Sequence, residues 1–249
     1  MKNNLLIRVY GDSLSMPRSS DRIWHFETYP ELLRDAIESN HPQTRVTVHN
    51  RSMGGAPISA LYKQFAHDSV YVEQGTGIIL VIQCGIVDCA PRPIPPAVKT
   101  FIGRVPALLR WPITRLLHYA RPIILRSGLK WRNTEIEQFK AILIEWLRKA
   151  GRNCDRIYVI NIVPTFPAVE SHSPGLQSSI DSYNHAIQSA VAAVDSPSIK
   201  LVDAHEAISL SNAGVSAYVN PHDGHHITHL GHSLYANTIL ALEKERLAG

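Results

Sequence analysis

The chain has 249 residues, 45% of them hydrophobic and 18% charged, with 25 Lys and Arg against 21 Asp and Glu for a net charge of +4. That length and apolar content support a substantial core, so an intrinsically disordered chain is excluded. The small basic excess is far from a general nucleic-acid footprint, and the charged fraction lies below the roughly 25% usual for soluble domains, so an unusual share of the surface is neutral or apolar.

Cys84, Cys89 and Cys154 are an odd number of thiols in a chain too large to need staples, which argues against a disulfide framework and for a reducing compartment. The segment Leu5 to Tyr10 stops at Gly11-Asp12, with neither a signal-peptide core nor a cleavage site. No run reaches about 18 uncharged apolar residues. The expectation is a cytoplasmic protein that touches a membrane at most peripherally.

Short β-branched runs alternate with amphipathic patterns along the whole length, which predicts a parallel sheet with crossover helices. Strands are expected at Leu5 to Tyr10, Arg45 to Val48, Gly77 to Gln83, Arg156 to Ile162 and Ile199 to Asp203. Helices are expected at about Tyr29 to Asn40, Pro57 to Glu73, Thr134 to Gly151, Leu176 to Val194 and His229 to Leu247, the last capped by Thr228. No internal repeat or domain-scale linker interrupts this rhythm, so residues 1–249 read as one domain.

One segment departs from the pattern. Between Cys89 and Asn133 there is no acidic residue, while Arg92, Lys99, Arg104, Arg110, Arg115, Arg121, Arg126, Lys130 and Arg132 are interleaved with apolar side chains. Residues 91–132 therefore read as a basic helical insertion, a lid that Pro106, Pro112 and Pro122 are expected to divide into short pieces. It is either a subdomain with solvated arginines or a surface for anionic headgroups or a phosphorylated carrier. Spacings of five to six between arginines from Arg104 to Arg126 do not keep to one helical face, which argues against a simple interfacial helix.

Chemistry concentrates at two places. Gly11-Asp12-Ser13-Leu14 follows the first strand, and the carboxyl ends of parallel strands are where ligands and catalytic groups gather. A serine there can be a nucleophile, although Gly-Asp-Ser is also ordinary turn chemistry. Near the other end stands Asp223-Gly224-His225-His226. A serine hydroxyl needs a neutral imidazole to take its proton and an acceptor to hold that imidazole's tautomer, roles open to His226 and Asp223.

With those residues in view, the chain resembles the GDSL-type SGNH hydrolases. The resemblance rests on Gly11-Asp12-Ser13-Leu14, on Asn50-Arg51-Ser52-Met53-Gly54-Gly55-Ala56, on Gly85-Ile86-Val87-Asp88 and on Asp223-Gly224-His225-His226, in the family's order across nearly the whole chain. Smaller echoes are Ile162-Val163-Pro164, Tyr183-Asn184 and Leu201-Val202-Asp203. The resemblance implies a three-layer α/β/α, flavodoxin-like fold on a five-stranded parallel sheet. It implies a serine esterase or acylhydrolase acting through an acyl-enzyme, with Ser13 as nucleophile, His226 as base, Asp223 as its orienter, and Gly55 or its neighbour Gly54 beside the Ser13 amide at the oxyanion. No cofactor or metal is implied.

The third block departs from the family, which usually has an asparagine donor where Val87 stands. Losing one such donor costs roughly 2.7 to 4 kcal/mol. Either the Ser13 and Gly55 amides suffice, or another donor such as Arg92 replaces it, or the chemistry has changed. Asp12, Gly54, Asp88 and Arg92 are thus candidate substrate or oxyanion contacts, against a reading in which Arg92 is solvated or pairs with Asp88.

The density of His222, Asp223, His225, His226, His229 and His232 also raises a metal site, the weaker reading because several side chains would have to converge. Cys84 and Cys89 read as buried structural thiols, and Asn161 and Thr165 as residues near the pocket by position. The expected substrate is a small-molecule or saccharide ester, acetylated or lipid-linked, with peripheral contact to an anionic membrane through the insertion and none to nucleic acid. A non-catalytic glycan- or partner-binding module on the same scaffold, and an O-acyltransferase, are the alternatives.

Overall fold

In the computed structural model, residues 3–69 and 76–248 are described. The strands are β1 (Asn3–Gly11), β2 (Thr44–Asn50), β3 (Gly77–Gln83), β4 (Arg156–Ile160) and β5 (Ile199–Val202). All pair in parallel, in the order β2-β1-β3-β4-β5. The central strands are buried on both faces, with Ile79 to Ile82 wholly inaccessible, which explains why they read as apolar runs rather than alternations.

Helices α1 (Tyr29–Asn40) and α11 (His229–Ala248) pack together on one face of the sheet, while α2 (Ile58–Asp68), α6 (Ile136–Ala150) and α8 (Leu176–Val194) cover the other. This is the α/β/α layering expected. On the second face Tyr10, Phe65 and Trp146 meet edge-on and tilted, with ring centroids 5.6 to 6.0 Å apart. On the first, Tyr29 stacks on His232 and meets Tyr235 edge-on. Short helices α3 (Ile86–Cys89), α7 (Pro167–His172), α9 (Ala204–Ser209) and α10 (Val215–Tyr218) complete the connections.

Some boundaries differ from expectation. Strand β4 ends two residues early because the Asn184 side chain takes over the backbone of Ile162, accepting its N–H and donating to its carbonyl at 2.8 Å each. Helix α2 ends at Asp68 with Ser69 as its cap, and the part of the expected helix beyond residue 69 lies outside the described residues. Thr228 caps α11 as expected, its hydroxyl accepting from Gly231 N–H at 3.3 Å.

The insertion is the larger departure. Pro106 does separate two helices, α4 (Pro96–Arg104) and α5 (Ala107–Arg126), but Pro112 and Pro122 sit inside α5 without ending it. Each removes one backbone donor, freeing the carbonyls of Leu108 and His118. Both residues are exposed, so water can satisfy these groups. At its base the insertion is closed by a two-way backbone pairing of Arg92 with Trp131, at 2.8 and 3.0 Å.

Candidate active site

The chain passes from β1 to β2 on one side and to β3 on the other, so the carboxyl ends of β1 and β3 form the topological switch point where α/β sheets open a crevice. Ser13 leaves β1 in a single 3-10 turn, Ser13–Ser15, capped by Asp12, whose carboxylate accepts Leu14 N–H at 3.0 Å. Gly11 is required there, since a Cβ would stand 2.2 Å from Ser15 Oγ. Gln83 at the end of β3 binds this turn, its Oε1 accepting from Asp12 N–H at 3.3 Å and from the Ser15 hydroxyl at 3.1 Å.

From the other end of the chain, the loop before α11 brings in the histidine. The Oδ1 of Asp223 accepts the backbone N–H of His225 at 3.1 Å and of His226 at 2.9 Å, while Oδ2 faces His226 Nδ1 at 2.9 Å. Gly224, at φ +71°, lies against Val169, where a Cβ would come within 2.3 Å of Cγ2. His226 Nε2 then stands 2.8 Å from Ser13 Oγ. A carboxylate can only accept, so Nδ1 carries the proton and Nε2 presents its lone pair to the serine hydroxyl.

Electrostatics keep that order. Burial opposes ionisation of Asp223, but the hydrogen bonds from the His226 ring and from the two backbone amides overcome it and hold the carboxyl well below the usual carboxylate range. Arg18 Nη1 adds a cation 3.2 Å from Oδ2. Asp223 is therefore an anion throughout the physiological range. Burial, then the neighbouring His226, push His225 toward its neutral form.

Around Ser13 opens a cleft of about 400 Å³, whose walls include Gly55, Val87, Arg92, His118, Arg121 and His172. Gly55 turns at φ +72°, and among the described residues no carbonyl accepts the N–H of either Ser13 or Gly55. Two unspent amides thus flank the hydroxyl. Gly54, the alternative to Gly55, is not among the residues of the cleft wall. A second hollow of similar volume, at the amino ends of the strands beside Asn4, His41 and Arg156, holds no nucleophile and base pair.

Val87 does line the cleft, so its side chain presents methyl groups there. Its carbonyl accepts from Asn133 Nδ2 at 2.9 Å and from Arg92 Nη2 at 3.3 Å. Arg92 neither floats in solvent nor forms an ion pair with Asp88 among the described residues. Its Nε is buried without a partner beside the cleft. Arg121, anchored from α5 to Pro91 carbonyl at 2.7 Å and Ser173 Oγ at 2.9 Å, is the second arginine of that wall, also with an unpartnered Nε.

The other candidates fall elsewhere. Asp88 is buried beneath the cleft floor, its carboxylate accepting Ile58 N–H at 3.0 Å and the Thr134 hydroxyl, so it ties α2 to the base of the insertion rather than facing a substrate. Asp12 is also fully buried, its Oδ1 engaged by the turn and its Oδ2 without a partner among the described residues. Asn161 bonds Asp203 and the His205 amide away from the cleft, and Thr165 supports the Gly224 carbonyl at 3.0 Å. Burial pushes the Cys84 and Cys89 thiols up, away from the reactive thiolate.

Of the histidine cluster, His232 is buried under α1, accepting Tyr29 N–H at 3.2 Å, and His229 faces Glu27. Among the described residues, only Asp223, His225 and His226 bring ligand atoms within 4.8 Å of one another. A cation held there by His226 would displace its bond to Ser13 or to Asp223. Residues that sequence reasoning missed are Gln83 and Arg18, which carry no motif, and His118 and His172, whose rings lie 4.7 Å apart across the cleft wall.

No family model matches the chain, and no curated protein matches it significantly in sequence. Solved structures do. A lipase/acylhydrolase from Enterococcus faecalis superposes with a TM-score of 0.65 at 15% identity, over 97% of this chain and 96% of that one. An acetylxylan esterase from Geobacillus stearothermophilus gives 0.59 at 15% over 97% and 96%. A member of the lipolytic G-D-S-L family from Veillonella parvula gives 0.56 at 13% over 95% and 97%. End to end, the chain has the α/β fold of the GDSL-type lipolytic hydrolases.

Proposed function

We propose that the protein is a serine esterase that cleaves an O-acyl ester through an acyl-enzyme. The observation that carries this reading is the chain Ser13 Oγ, His226 Nε2, Asp223 Oδ2, linked at 2.8 and 2.9 Å and opening on the cleft. The fold shared with a lipase/acylhydrolase and an acetylxylan esterase supports it.

In the first half-reaction Ser13 Oγ attacks the ester carbonyl while its proton passes to His226 Nε2. The carbonyl oxygen becomes an oxyanion that accepts from the Ser13 and Gly55 amides, with the Arg92 guanidinium, whose Nε is unpartnered beside the cleft, as a further donor in place of an asparagine. Collapse breaks the bond to the alcohol, which leaves with the proton from His226. Water then enters, gives its proton to His226, and releases the acid as Oγ is reprotonated. Asp223 keeps the ring in the productive tautomer throughout.

The cleft wall also informs the substrate. Two half-buried arginines, with Asp223 already committed to His226 and Arg18, suit an acyl ester carrying a carboxylate or phosphate, such as an acylated sugar phosphate or a lipid-linked saccharide. The test is fluorophosphonate labelling and p-nitrophenyl acetate hydrolysis by the wild type, Ser13→Ala and His226→Ala. Labelling present in the wild type and absent in both variants is expected; a folded wild type that neither labels nor turns over would overturn the reading in favour of a binding module.

A further inference from the structure

Helix α5 is amphipathic with its apolar side outward. Leu108, Leu116, Tyr119 and Ile123 recur at spacings of eight, three and four, which with Pro112 puts them on one helical face. They are 90%, 69%, 63% and 70% exposed. In the second half of the helix the opposite face packs, where Leu125 is buried and Arg121 is hydrogen-bonded to the body, while residues 107–116 are exposed on all sides, Leu109 and Trp111 among them. Phe101 of α4 and Leu129 beyond α5 are exposed as well, extending the apolar patch over the insertion.

A patch of this kind is costly in water unless something covers it. The charges around it say what. Arg104, Arg110, Arg115 and Arg126 have no carboxylate within ion-pair distance among the described residues, and the segment contains no acidic residue. Arg115 holds its guanidinium over the rings of Trp111 and Tyr119, at 5.1 and 5.8 Å. A second copy of this chain would bring like charges together across the interface. An anionic bilayer would instead accept apolar side chains at the acyl boundary and arginines at the phosphates.

We propose that α4 and α5 dock flat on an anionic phospholipid surface. Leu108, Leu116, Tyr119 and Ile123 enter the acyl boundary, and Arg115 and Arg126 at the edge of that face pair with headgroup phosphates. The arginine spacing that argued against an interfacial helix does put Arg110 on the opposite side, but the apolar residues set the face, and Arg115 and Arg126 reach the headgroups from its edge. The inner side of the same helix contributes His118 and Arg121 to the Ser13 cleft, so docking would hold that cleft at the membrane surface.

Flotation of the full-length protein with vesicles tests this, comparing pure phosphatidylcholine with phosphatidylcholine containing one-quarter phosphatidylglycerol. Binding to the anionic vesicles is expected to exceed that to neutral ones by about tenfold or more and to fall in high salt. Leu116→Glu with Ile123→Glu, and separately Arg115→Glu with Arg126→Glu, should each abolish it while the circular dichroism spectrum is unchanged. Ser13→Ala should bind like the wild type, which separates this inference from the esterase reading. Equal binding to both vesicles, wild-type binding by either double variant, or a stable dimer dissolved by Leu116→Glu would overturn it.

Discussion

Ser13 and His226 are 213 positions apart in the chain, yet Oγ and Nε2 stand 2.8 Å from each other at the carboxyl edge of the sheet. Ser13 is set by the turn after β1 and His226 by the loop before α11, so the pair reports on the packing of the two ends of the domain. Loss of either partner should lower turnover of short acyl esters by several orders of magnitude, with Ser13→Ala the more complete. Asp223→Asn should retain the fold and still lose most turnover, because the amide no longer selects the His226 tautomer. Steady-state kinetics beside thermal melts check both.

Val87 offers a gain-of-function experiment. Its side chain lines the cleft, and in the proposed esterase reading an amide there would serve the oxyanion, so Val87→Asn should raise kcat for p-nitrophenyl acetate about tenfold or more, with KM little changed. An unchanged kcat would mean that the donors already present, including Arg92, complete the oxyanion site.

Asp88 should prove structural. Its removal in Asp88→Ala leaves Ile58 N–H and the Thr134 hydroxyl buried without their acceptor, at a cost of about 2 to 4 kcal/mol. Differential scanning calorimetry should show a fall in Tm of roughly 5 to 10 °C. Limited proteolysis should then cut first in the insertion, whose base Asp88 anchors.

Asp12 makes stability depend on pH. Burial raises its carboxyl to about 7, against hydrogen bonds from Leu14 and Gln83 that favour the anion. Below pH 4 the group is protonated in both folded and unfolded chains. Between pH 4 and 7 the unfolded chain ionises while the folded one holds its proton, so this contribution falls as pH rises. Asp12→Asn keeps an acceptor for Leu14 N–H without the charge. In urea titrations its stability relative to wild type should therefore improve by a few kcal/mol from pH 4 to pH 8.

His232 acts in the opposite direction. Burial, then His229, lower its pKa to about 3, and its Nδ1 accepts from Tyr29 N–H. The unfolded chain takes up that proton near pH 6.5, so the stability that the neutral ring contributes is lost as pH falls from 6.5 toward 3. Proton NMR should show no movement of its ring signals between pH 8 and pH 5, and a titration in that range would contradict the buried, neutral assignment.

Much of this was legible in the chain itself, for physical reasons that can be named. Parallel strands buried on both faces must be continuous apolar runs, so β1 and β3 announce themselves. The Gly11 that begins the serine turn, and the Asp223 that folds back on His226, are local requirements written within a few residues. Other features depend on groups far apart in the chain. Gln83 carries no local mark of its role because it becomes a turn anchor only when β3 lies beside β1. Asp88 and Arg92 looked alike as candidates, and burial alone sends one beneath the floor and the other to the wall of the cleft. The outward face of α5 was equally hidden. Its prolines predict short pieces rather than one helix, and which side of the continuous helix meets the protein is decided by where Arg121 and Leu125 find partners, which only the tertiary structure determines.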